Sequence, residues 1–296
     1  MNQQRKGLFT VHFSTVLFGL SGLFAKWVHL PSIILVLWRV IFSSAFLLLI
    51  LKLQKTTLRL KKRRDYLLMV LAGIVLSIHW TTFMQSIQTS TVAIGTMTFS
   101  TFPLFVTFME PWLFHEKLKP SNVICAIVML LGVLLIVPEF HLGNAMTRGV
   151  LWGMVCSFTY AILSLMNRNF MKNYTSTQTA FYEQFTATIL LFPSMLWMQP
   201  MITPKDLLIL LLLGTVCTAI AHTMYIEGLR YVKVQTAGII SGLESVYSIL
   251  AAFLFLREIP SVKELFGGMV ILGVVFYSTL TSAKSESISL PQVVEK

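Results

Sequence analysis

One acidic residue stands inside a long apolar run near the C-terminal end of the sequence. Glu244 shares the spacing i, i+3, i+4 and i+7 with Ser241, Ser245 and Ser248, so the four side chains lie on one face of a helix. A charged group inside such a helix is costly unless it faces water or a partner. We therefore predict that Glu244 faces a cavity, where its carboxylate binds an amine or takes up a proton. The alternative is a protonated carboxyl group that hydrogen-bonds a neighbouring helix.

Three histidines, His12, His79 and His222, also lie in apolar runs. Histidine changes its charge near neutral pH and is therefore suited to proton transfer. Each one shares its predicted helix face with other polar or aromatic groups, such as Tyr225 beside His222. These histidines and Glu244 are candidates for proton coupling. The alternative for each histidine is a hydrogen bond between two helices.

Further polar and aromatic side chains of the apolar runs could line a binding cavity. Aromatic faces combined with hydroxyl groups suit an amphipathic small molecule, and the alternative for each aromatic residue is ordinary helix packing. The predicted substrate-binding residues are Glu244, His79, Trp80, Ser100, Tyr160, His222, Tyr225, Ser241 and Tyr247.

No motif in the sequence indicates a metal site, a cofactor or an enzymatic reaction. The nucleotide-binding pattern GxxxxGK[ST] and the zinc-binding pattern HExxH are absent, and no loop carries an acidic pair with metal-binding spacing. Cys125, Cys156 and Cys217 also lack such spacing. We therefore predict no catalytic residue, no metal and no cofactor.

The composition indicates which elements hold these residues. The chain has 296 residues, of which 55% are hydrophobic and 12% are charged, and its mean hydropathy is +0.76. A soluble domain carries about 25% charged residues. This excludes soluble enzymes, disordered chains and secreted disulfide scaffolds, and favours a polytopic membrane protein. The net charge of +11 does not indicate nucleic-acid binding, because the basic residues lie between the apolar runs.

Ten apolar runs are long enough to cross a bilayer, and each must be helical because lipid offers no hydrogen-bond partners to the backbone. Their predicted bounds are 8–26, 32–51, 66–87, 91–114, 122–137, 149–170, 177–198, 206–228, 234–256 and 264–281. With the N-terminus in the cytoplasm, seventeen basic residues lie on the cytoplasmic side and five on the outer side. The positive-inside rule therefore predicts a multi-pass protein with both termini in the cytoplasm.

The two halves of the sequence align with each other when one is shifted by 142 residues. This shift matches Glu116 with Glu258 and Trp80 with His222. Five helices per half is an odd number, so the second half enters the membrane from the opposite side. We predict an all-α membrane protein with ten transmembrane helices in two inverted five-helix repeats, residues 1–140 and 141–281, and a flexible cytoplasmic tail, residues 282–296. The alternative is an old duplication retained only for packing.

Two further charges, Arg39 and Glu183, lie at equivalent positions of the second helix of each half when the alignment slips by two residues. An unpaired charge inside a bilayer is costly. We therefore predict that Arg39 and Glu183 form a structural charge pair.

This arrangement resembles the drug/metabolite transporter superfamily, and specifically its EamA-type branch. The resemblance extends from residue 8 to residue 281 and rests on the five-plus-five helices, on Arg39 and on a glutamate–turn–glycine pattern that ends each half. That pattern reads His115-Glu116-Lys117-Leu118 with Gly132, and Arg257-Glu258-Ile259-Pro260 with Gly267 and Gly273. The resemblance implies a structural role for the arginine and a central pocket surrounded by helices 1, 3, 4, 6, 8 and 9.

The resemblance also implies secondary active transport by alternating access, with export of amino acids or related amphipathic compounds as the leading function. The expected partners are a small-molecule substrate, the lipid bilayer and, as a candidate coupling ion, the proton, with no nucleic acid. The expected location is the bacterial cytoplasmic (inner) membrane, and the expected state is a monomer or a homodimer. The alternatives are uptake or exchange of a nucleotide-like metabolite, a membrane enzyme and a non-transporting scaffold.

Overall fold

The computed structural model describes residues 3–114, 120–136, 141–232 and 234–289, and these form helices, turns and short connections without a β-strand. The helices are α1 (Gln3–Trp27), α2 (Ser32–Leu53), α3 (Arg63–Thr89), α4 (Val92–Phe99), α5 (Phe102–Phe114), α6 (Pro120–Ile136), α7 (Ala145–Phe170), α8 (Ser176–Leu191), α9 (Ser194–Met198), α10 (Pro204–Gly214), α11 (Ala221–Gly228), α12 (Val234–Leu256) and α13 (Val262–Ser289). Within this part of the chain, seven helical segments are long and apolar enough to cross a membrane. The protein is therefore an all-helical, multi-pass membrane protein.

The predicted span 91–114 is interrupted. Helix α4 ends at Phe99 and α5 begins at Phe102, one residue before Pro103. Proline has no backbone N–H, so it cannot donate to the carbonyl of Phe99 four residues earlier. The hydroxyl of Ser157 donates to that carbonyl instead, at 3.2 Å, which joins this break to α7.

Two more predicted spans are irregular. The span 177–198 is divided at Pro193 into α8 and α9. The span 206–228 contains a π-helical turn, Thr215–Ile220, between α10 and α11. In this wider turn, the hydroxyl of Thr218 donates to the carbonyl of Leu213, five residues earlier, at 2.7 Å. Because π-helical turns occur frequently at functional sites, the turn that precedes His222 is of interest.

The C-terminal helix is longer than predicted. The polar composition after residue 281 predicted a flexible tail, whereas α13 continues to Ser289. Alanine, lysine and glutamate in this segment are favourable helix formers, so the helix propagates beyond the apolar region. Glu116 and its turn, with His115, Lys117 and Leu118, lie outside the described residues.

Helices of the first half pack mainly against helices of the second half. The most extensive contacts join α3 with α7, α1 with α12, α6 with α13 and α2 with α8. Small residues permit the α3–α7 contact, because a Cβ atom at Gly149 would lie 2.3 Å from the hydroxyl oxygen of Ser90. Ser86 also donates to the carbonyl of Gly149 at 2.6 Å. The helices that carry the predicted site residues therefore meet between the two halves.

Candidate functional site

A small cavity lies at the centre of the helical bundle. Its volume is about 20 Å³, which is space for about one water molecule. Small-molecule sites usually enclose a few hundred Å³, so the structure shows a closed centre. Its walls are formed by Phe18 and Ser21 of α1, Arg39 of α2, His79, Trp80 and Phe83 of α3, Phe99 of α4, Tyr160 of α7, His222 of α11 and Glu244 of α12.

Aromatic rings form most of one wall. The ring of Tyr160 stacks on His79 with centroids 4.7 Å apart and meets Phe99 edge-on at 5.0 Å. Tyr225 continues this cluster behind Tyr160 at 5.6 Å. Such a wall offers apolar surface and the negative face of aromatic rings, which attract a cation.

Nδ1 of His79 is bonded to α7, and Nε2 is left for the cavity. Its Nδ1 atom lies 3.0 Å from the carbonyl oxygen of Cys156. A carbonyl only accepts, so Nδ1 carries the proton and donates it. The neutral ring then has Nε2 as an acceptor, and His79 can receive a hydrogen bond from a ligand.

Arg39 is a buried cation with unused donor capacity. Its side chain is 1% exposed, and its Nε donates to the hydroxyl of Thr218 at 2.6 Å. The guanidinium carbon lies 4.1 Å from the centroid of the Trp80 ring. Nη1 has no hydrogen-bond partner among the described residues. The cation is therefore positioned by α3 and the π-helical turn and can still donate to an anion.

Glu244 is the acidic residue of the cavity wall. It is 5% exposed, and no hydrogen bond to its carboxylate is found in the described part of the chain. It interacts electrostatically with Arg39 across the same cavity. The cavity wall thus combines the carboxyl group of Glu244 and the guanidinium cation of Arg39 with aromatic rings.

The predicted direct pair between Arg39 and Glu183 is replaced by other contacts in this structure. Oε2 of Glu183 lies 2.8 Å from Nε2 of His222, and both side chains are almost completely buried. Arg39 contacts Thr218, one helical turn before His222. Thr218 of the π-helical turn and His222 of α11 therefore take the places that Glu183 and Arg39 would have occupied in a direct pair.

Two predicted site residues lie away from the cavity. The hydroxyl of Tyr247 and Nε2 of His12 are 3.1 Å apart, and His12 is exposed on the outer side of α1. Their contact joins α1 to α12 at the surface of the bundle. The prediction that they take part in the site is therefore not supported by their position.

The other predicted residues form a layer behind the wall. Ser100 donates to Ser245 at 3.3 Å, which links α4 to α12. Tyr225 lies 3.4 Å from the hydroxyl of Ser164. The hydroxyl of Ser241 is buried without a hydrogen-bond partner among the described residues. These side chains can support the wall, whereas Glu244, His79, Trp80, Tyr160 and His222 lie in the wall itself.

Phe18 and Ser21 of α1 line the cavity but are not among the predicted binding residues. They follow Ser14 at i+4 and i+7, so this helical spacing could have identified the inward face of α1. Gly19 of the same helix packs closely against α12, since a Cβ atom there would lie 2.6 Å from Cβ of Tyr247. Phe83 and Phe99 were also outside the predicted binding set.

Polar contacts close the bundle at one end of α3. Nζ of Lys26 donates to the carbonyl of Ser90 at 2.7 Å, and the backbone N–H of Val92 donates to Glu258 at 2.7 Å. Thr91 donates to Glu264 at 3.1 Å. These contacts join α1 and the α3–α4 connection to the α12–α13 connection, and we refer to them as the Glu258 cluster.

A second set of contacts lies at the opposite end of α3. The phenol of Tyr174 donates to Asp65 and accepts from the backbone N–H of Lys61 at 3.0 Å. Nη2 of Arg230 donates to the carbonyl of Tyr174 at 3.0 Å. Burial and the hydrogen bond with Asp65 raise the pKa of the Tyr174 phenol, so it remains a donor. We refer to these contacts as the Tyr174 cluster.

Comparison with known proteins matches nearly the whole chain. A family described as the EamA-like transporter family matches residues 5–137 and 147–280. An uncharacterized transporter of Bacillus subtilis (strain 168), YxxF, is 23% identical over 275 residues, covering 91% of this chain and 88% of that protein. An S-adenosylmethionine uptake transporter of Rickettsia conorii is 21% identical over 251 residues, covering 84% and 83%. A crystal structure that is 17% identical superposes with a TM-score of 0.68, covering 93% of this chain and 97% of the other, which shows a shared fold.

Proposed function

The chain belongs to the EamA-like transporter family, and we propose that it carries small amphipathic metabolites bearing an amine and a carboxylate, with amino acids and related compounds as the leading class. The observation that carries this proposal is that Arg39 and Glu244 line one aromatic cavity. A substrate carboxylate would accept from the free Nη1 of Arg39, and a substrate amine would donate to Glu244.

The chemistry of the wall favours such a zwitterion over a fully apolar solute. Arg39 and Glu244 are each removed from water, so an ionic contact at either one is strengthened by the low dielectric constant. A solute without charges would leave both groups without a ligand partner, which costs free energy. The rings of Trp80, Phe99 and Tyr160 suit the apolar part of the solute.

A nucleotide-like metabolite is the second candidate. It is favoured by the relatives described as S-adenosylmethionine uptake transporters, since S-adenosylmethionine joins an amino-acid group to a sulfonium and an adenine ring. The same Arg39 and Glu244 would bind its amino-acid group, and the aromatic wall would bind the adenine. The direction of transport also differs between the two candidates. It is export for amino acids and related compounds, and uptake or exchange for a nucleotide-like metabolite.

We propose further that the chain consists of ten transmembrane helices in two inverted repeats, residues 1–140 and 141–281, with both termini in the cytoplasm of a bacterial inner membrane. The packing supports this proposal. In the two repeats α1 corresponds to α7 and α4 to α12, and both the α1–α12 contact and the equivalent α7–α4 contact are present. Likewise α3 corresponds to α11, and both the α3–α7 contact and the equivalent α11–α1 contact are present. Trp80 and His222, which the sequence alignment matches, face each other with centroids 5.3 Å apart.

Alternating access follows from this arrangement. The closed cavity must enlarge to accept a metabolite, and the Glu258 and Tyr174 clusters are the polar contacts that would open in turn at the two ends of α3. Each cluster joins elements of both halves, so a rocking motion between the halves would break one cluster while the other remains. The closed structure corresponds to an occluded state.

Counterflow in reconstituted vesicles tests the function. Vesicles loaded with unlabelled methionine, phenylalanine, S-adenosylmethionine or adenosine monophosphate are given the same labelled compound outside. We expect saturable exchange of a compound with both an amine and a carboxylate, with no competition from its decarboxylated or N-acetylated analogue. Exchange of adenosine monophosphate alone would support a nucleotide site instead. Chemical conversion of the compound would indicate an enzyme, and the absence of any exchange by folded protein would overturn the proposal.

A further inference from the structure

His222 of the cavity wall is paired with a buried acid, Glu183, which does not line the cavity. Glu183 is 0% exposed and His222 is 1% exposed, and Oε2 of Glu183 lies 2.8 Å from Nε2 of His222. When Glu183 is ionised, its carboxylate only accepts, so Nε2 of His222 carries the proton and donates it. Nδ1 of His222 remains available for a second proton.

The partners of Glu183 leave its charge free to change. A permanent cation would keep the carboxylate ionised, but the nearby cation Arg39 is engaged by Thr218 and by the face of Trp80. The side chain within hydrogen-bond distance of Glu183 is instead the imidazole of His222, which has a second ring nitrogen that can bind a proton. The pair can therefore alternate between a net negative and a neutral state.

Unsatisfied polar atoms surround the pair. The amide of Asn167 interacts with the Glu183 carboxylate, but Oε1 of Glu183 and both amide atoms of Asn167 lie beyond hydrogen-bond distance of a partner among the described residues. Buried polar groups are normally paired, so these atoms indicate a site that is incomplete in this state.

His222 shares the cavity wall with other titratable and charged groups, and His79 interacts with it electrostatically. These groups are Arg39 of α2, His79 of α3, Tyr160 of α7 and Glu244 of α12. Arg39 is the permanent charge in this set. Glu244 lies in the cavity wall, whereas Glu183 does not, so the two acids occupy different places.

The pair is mechanically connected to the substrate site. His222 lines the cavity and meets Trp80 edge-on at 5.3 Å, while the face of Trp80 holds the guanidinium of Arg39. Thr218, which accepts from Arg39, lies one turn before His222 within the π-helical segment. A change at His222 therefore acts on the same turn and the same ring that position Arg39.

We infer that Glu183 and His222 form the binding site of the coupled proton, separate from Glu244. This inference rests on the proposed transport function. The empty site is a carboxylate hydrogen-bonded to a neutral imidazole. The occupied site is a carboxylate hydrogen-bonded to an imidazolium, which takes its proton from a hydronium ion on one side of the membrane. Release to water on the other side restores the empty site, and no other bond changes.

The first test needs no substrate, because a protonated imidazole quenches a neighbouring indole. The emission of Trp80, obtained as the difference between the full-length protein and Trp80→Phe in detergent, is titrated between about pH 5 and 8. We expect a pH-dependent step that is absent in His222→Gln, lost or displaced in Glu183→Gln, and retained in Glu244→Gln. The same step in all variants, or no step in the parent protein, would overturn the inference.

The second test separates coupling from transport. In vesicles, exchange of the compound identified by counterflow needs no net proton movement, whereas accumulation driven by a pH gradient does. We expect Glu183→Gln to reduce gradient-driven accumulation about tenfold or more while exchange stays within about twofold, since the substrate site is retained. Glu183→Asp keeps the carboxylate and should recover part of the accumulation, which excludes simple misfolding. Undiminished accumulation in Glu183→Gln would overturn the inference, whereas loss of exchange for every compound in the parent protein would instead refute the proposed function.

Discussion

The guanidinium carbon of Arg39 lies 4.1 Å from the centroid of the Trp80 ring, while its Nε donates to Thr218 at 2.6 Å. These contacts hold a buried cation beside the cavity without neutralising it. A cation over an indole face keeps its charge, whereas a carboxylate partner would cancel most of its field. Arg39 can therefore act on a substrate anion as well as stabilise the bundle.

We expect Arg39→Lys to lower the transport efficiency (kcat/KM) for a substrate with a carboxylate by about 10- to 100-fold, because an ammonium cannot reproduce the planar stacking and the forked donors. The measurement is the concentration dependence of vesicle flux. Arg148→Lys is the matched control, since Arg148 is exposed at the start of α7. Equal efficiencies for Arg39→Lys and the parent protein would remove Arg39 from substrate binding.

Replacing the cavity acid should remove function without removing the fold. Glu244→Gln retains the shape of the side chain, so the protein should insert and purify normally, while flux of an amine-bearing substrate is abolished or falls at least about tenfold. The flux of Glu244→Gln is compared with the flux of Glu227→Gln in vesicles of the same composition. Glu227 is a suitable control because it is paired with Arg230 at a helix end, 3.5 Å away. Normal flux with unchanged pH dependence in Glu244→Gln would exclude Glu244 from the mechanism.

The membrane orientation can be tested with cysteine labels. In a background free of native cysteines, Arg64→Cys and Lys172→Cys should react with an impermeant reagent only from the cytoplasmic side. Ile259→Cys, next to Glu258 and 76% exposed, should react only from outside. Labelling of position 259 from the cytoplasm would disprove the inverted arrangement of the two halves.

The Tyr174 cluster should stabilise closure on its side of the membrane. Tyr174→Phe removes the hydrogen bond to Asp65 and an acceptor for Lys61, so it should shift the population toward a state open at that end, with an effect of about 1 kcal/mol per bond. A cysteine at Ser21, in the cavity wall, should then react faster with a reagent added from that side. Tyr231→Phe is the control, since the Tyr231 phenol contacts Glu227 on its own helix end.

The same cluster has a defined pH dependence. The pKa of Tyr174 is raised above its usual value of 10.0, so the unfolded or open chain loses the phenol proton first as the pH rises. The stabilising contribution is therefore complete below pH 10 and is lost as the pH rises through the higher value of the folded state. In Ser21→Cys, the cysteine should therefore react faster with a reagent added from that side as the pH rises above 10. This increase should be absent when Tyr174→Phe is added.

Because α3 and α7 approach each other closely at Gly149, a larger side chain at this position should destabilise the protein. Gly149→Ala places a Cβ atom 2.3 Å from the Ser90 hydroxyl oxygen, so we expect a loss of about 1–3 kcal/mol of stability and a lower Tm in detergent. Gly273→Ala is the matched control, because nothing lies within 4 Å of a Cβ atom there. A Tm for Gly149→Ala equal to that of the control would show that the two helices separate at no cost.

Composition and residue spacing were sufficient to predict the class of the protein and several residues of the cavity wall. The low charged fraction and long apolar runs establish a membrane protein, since hydropathy depends on composition over a local window. Glu244, His79, Trp80, Tyr160 and His222 were predicted from isolated polar or aromatic positions, and all five line the cavity. They face the interior because a polar group inside an apolar helix avoids lipid, and their role in substrate binding stays a prediction.

The contacts between these groups depend on how separate helices pack against each other. Arg39 and Thr218 are 179 residues apart in the sequence, and helical spacing on one segment contains no information about the rotation of another. Arg39 contacts Thr218 of the π-helical turn and Glu183 contacts His222 of α11, while His12 and Tyr247 do not line the cavity. Charge pairing and cavity lining depend on the relative rotation and depth of separate helices, and these are set by close contacts between the two halves.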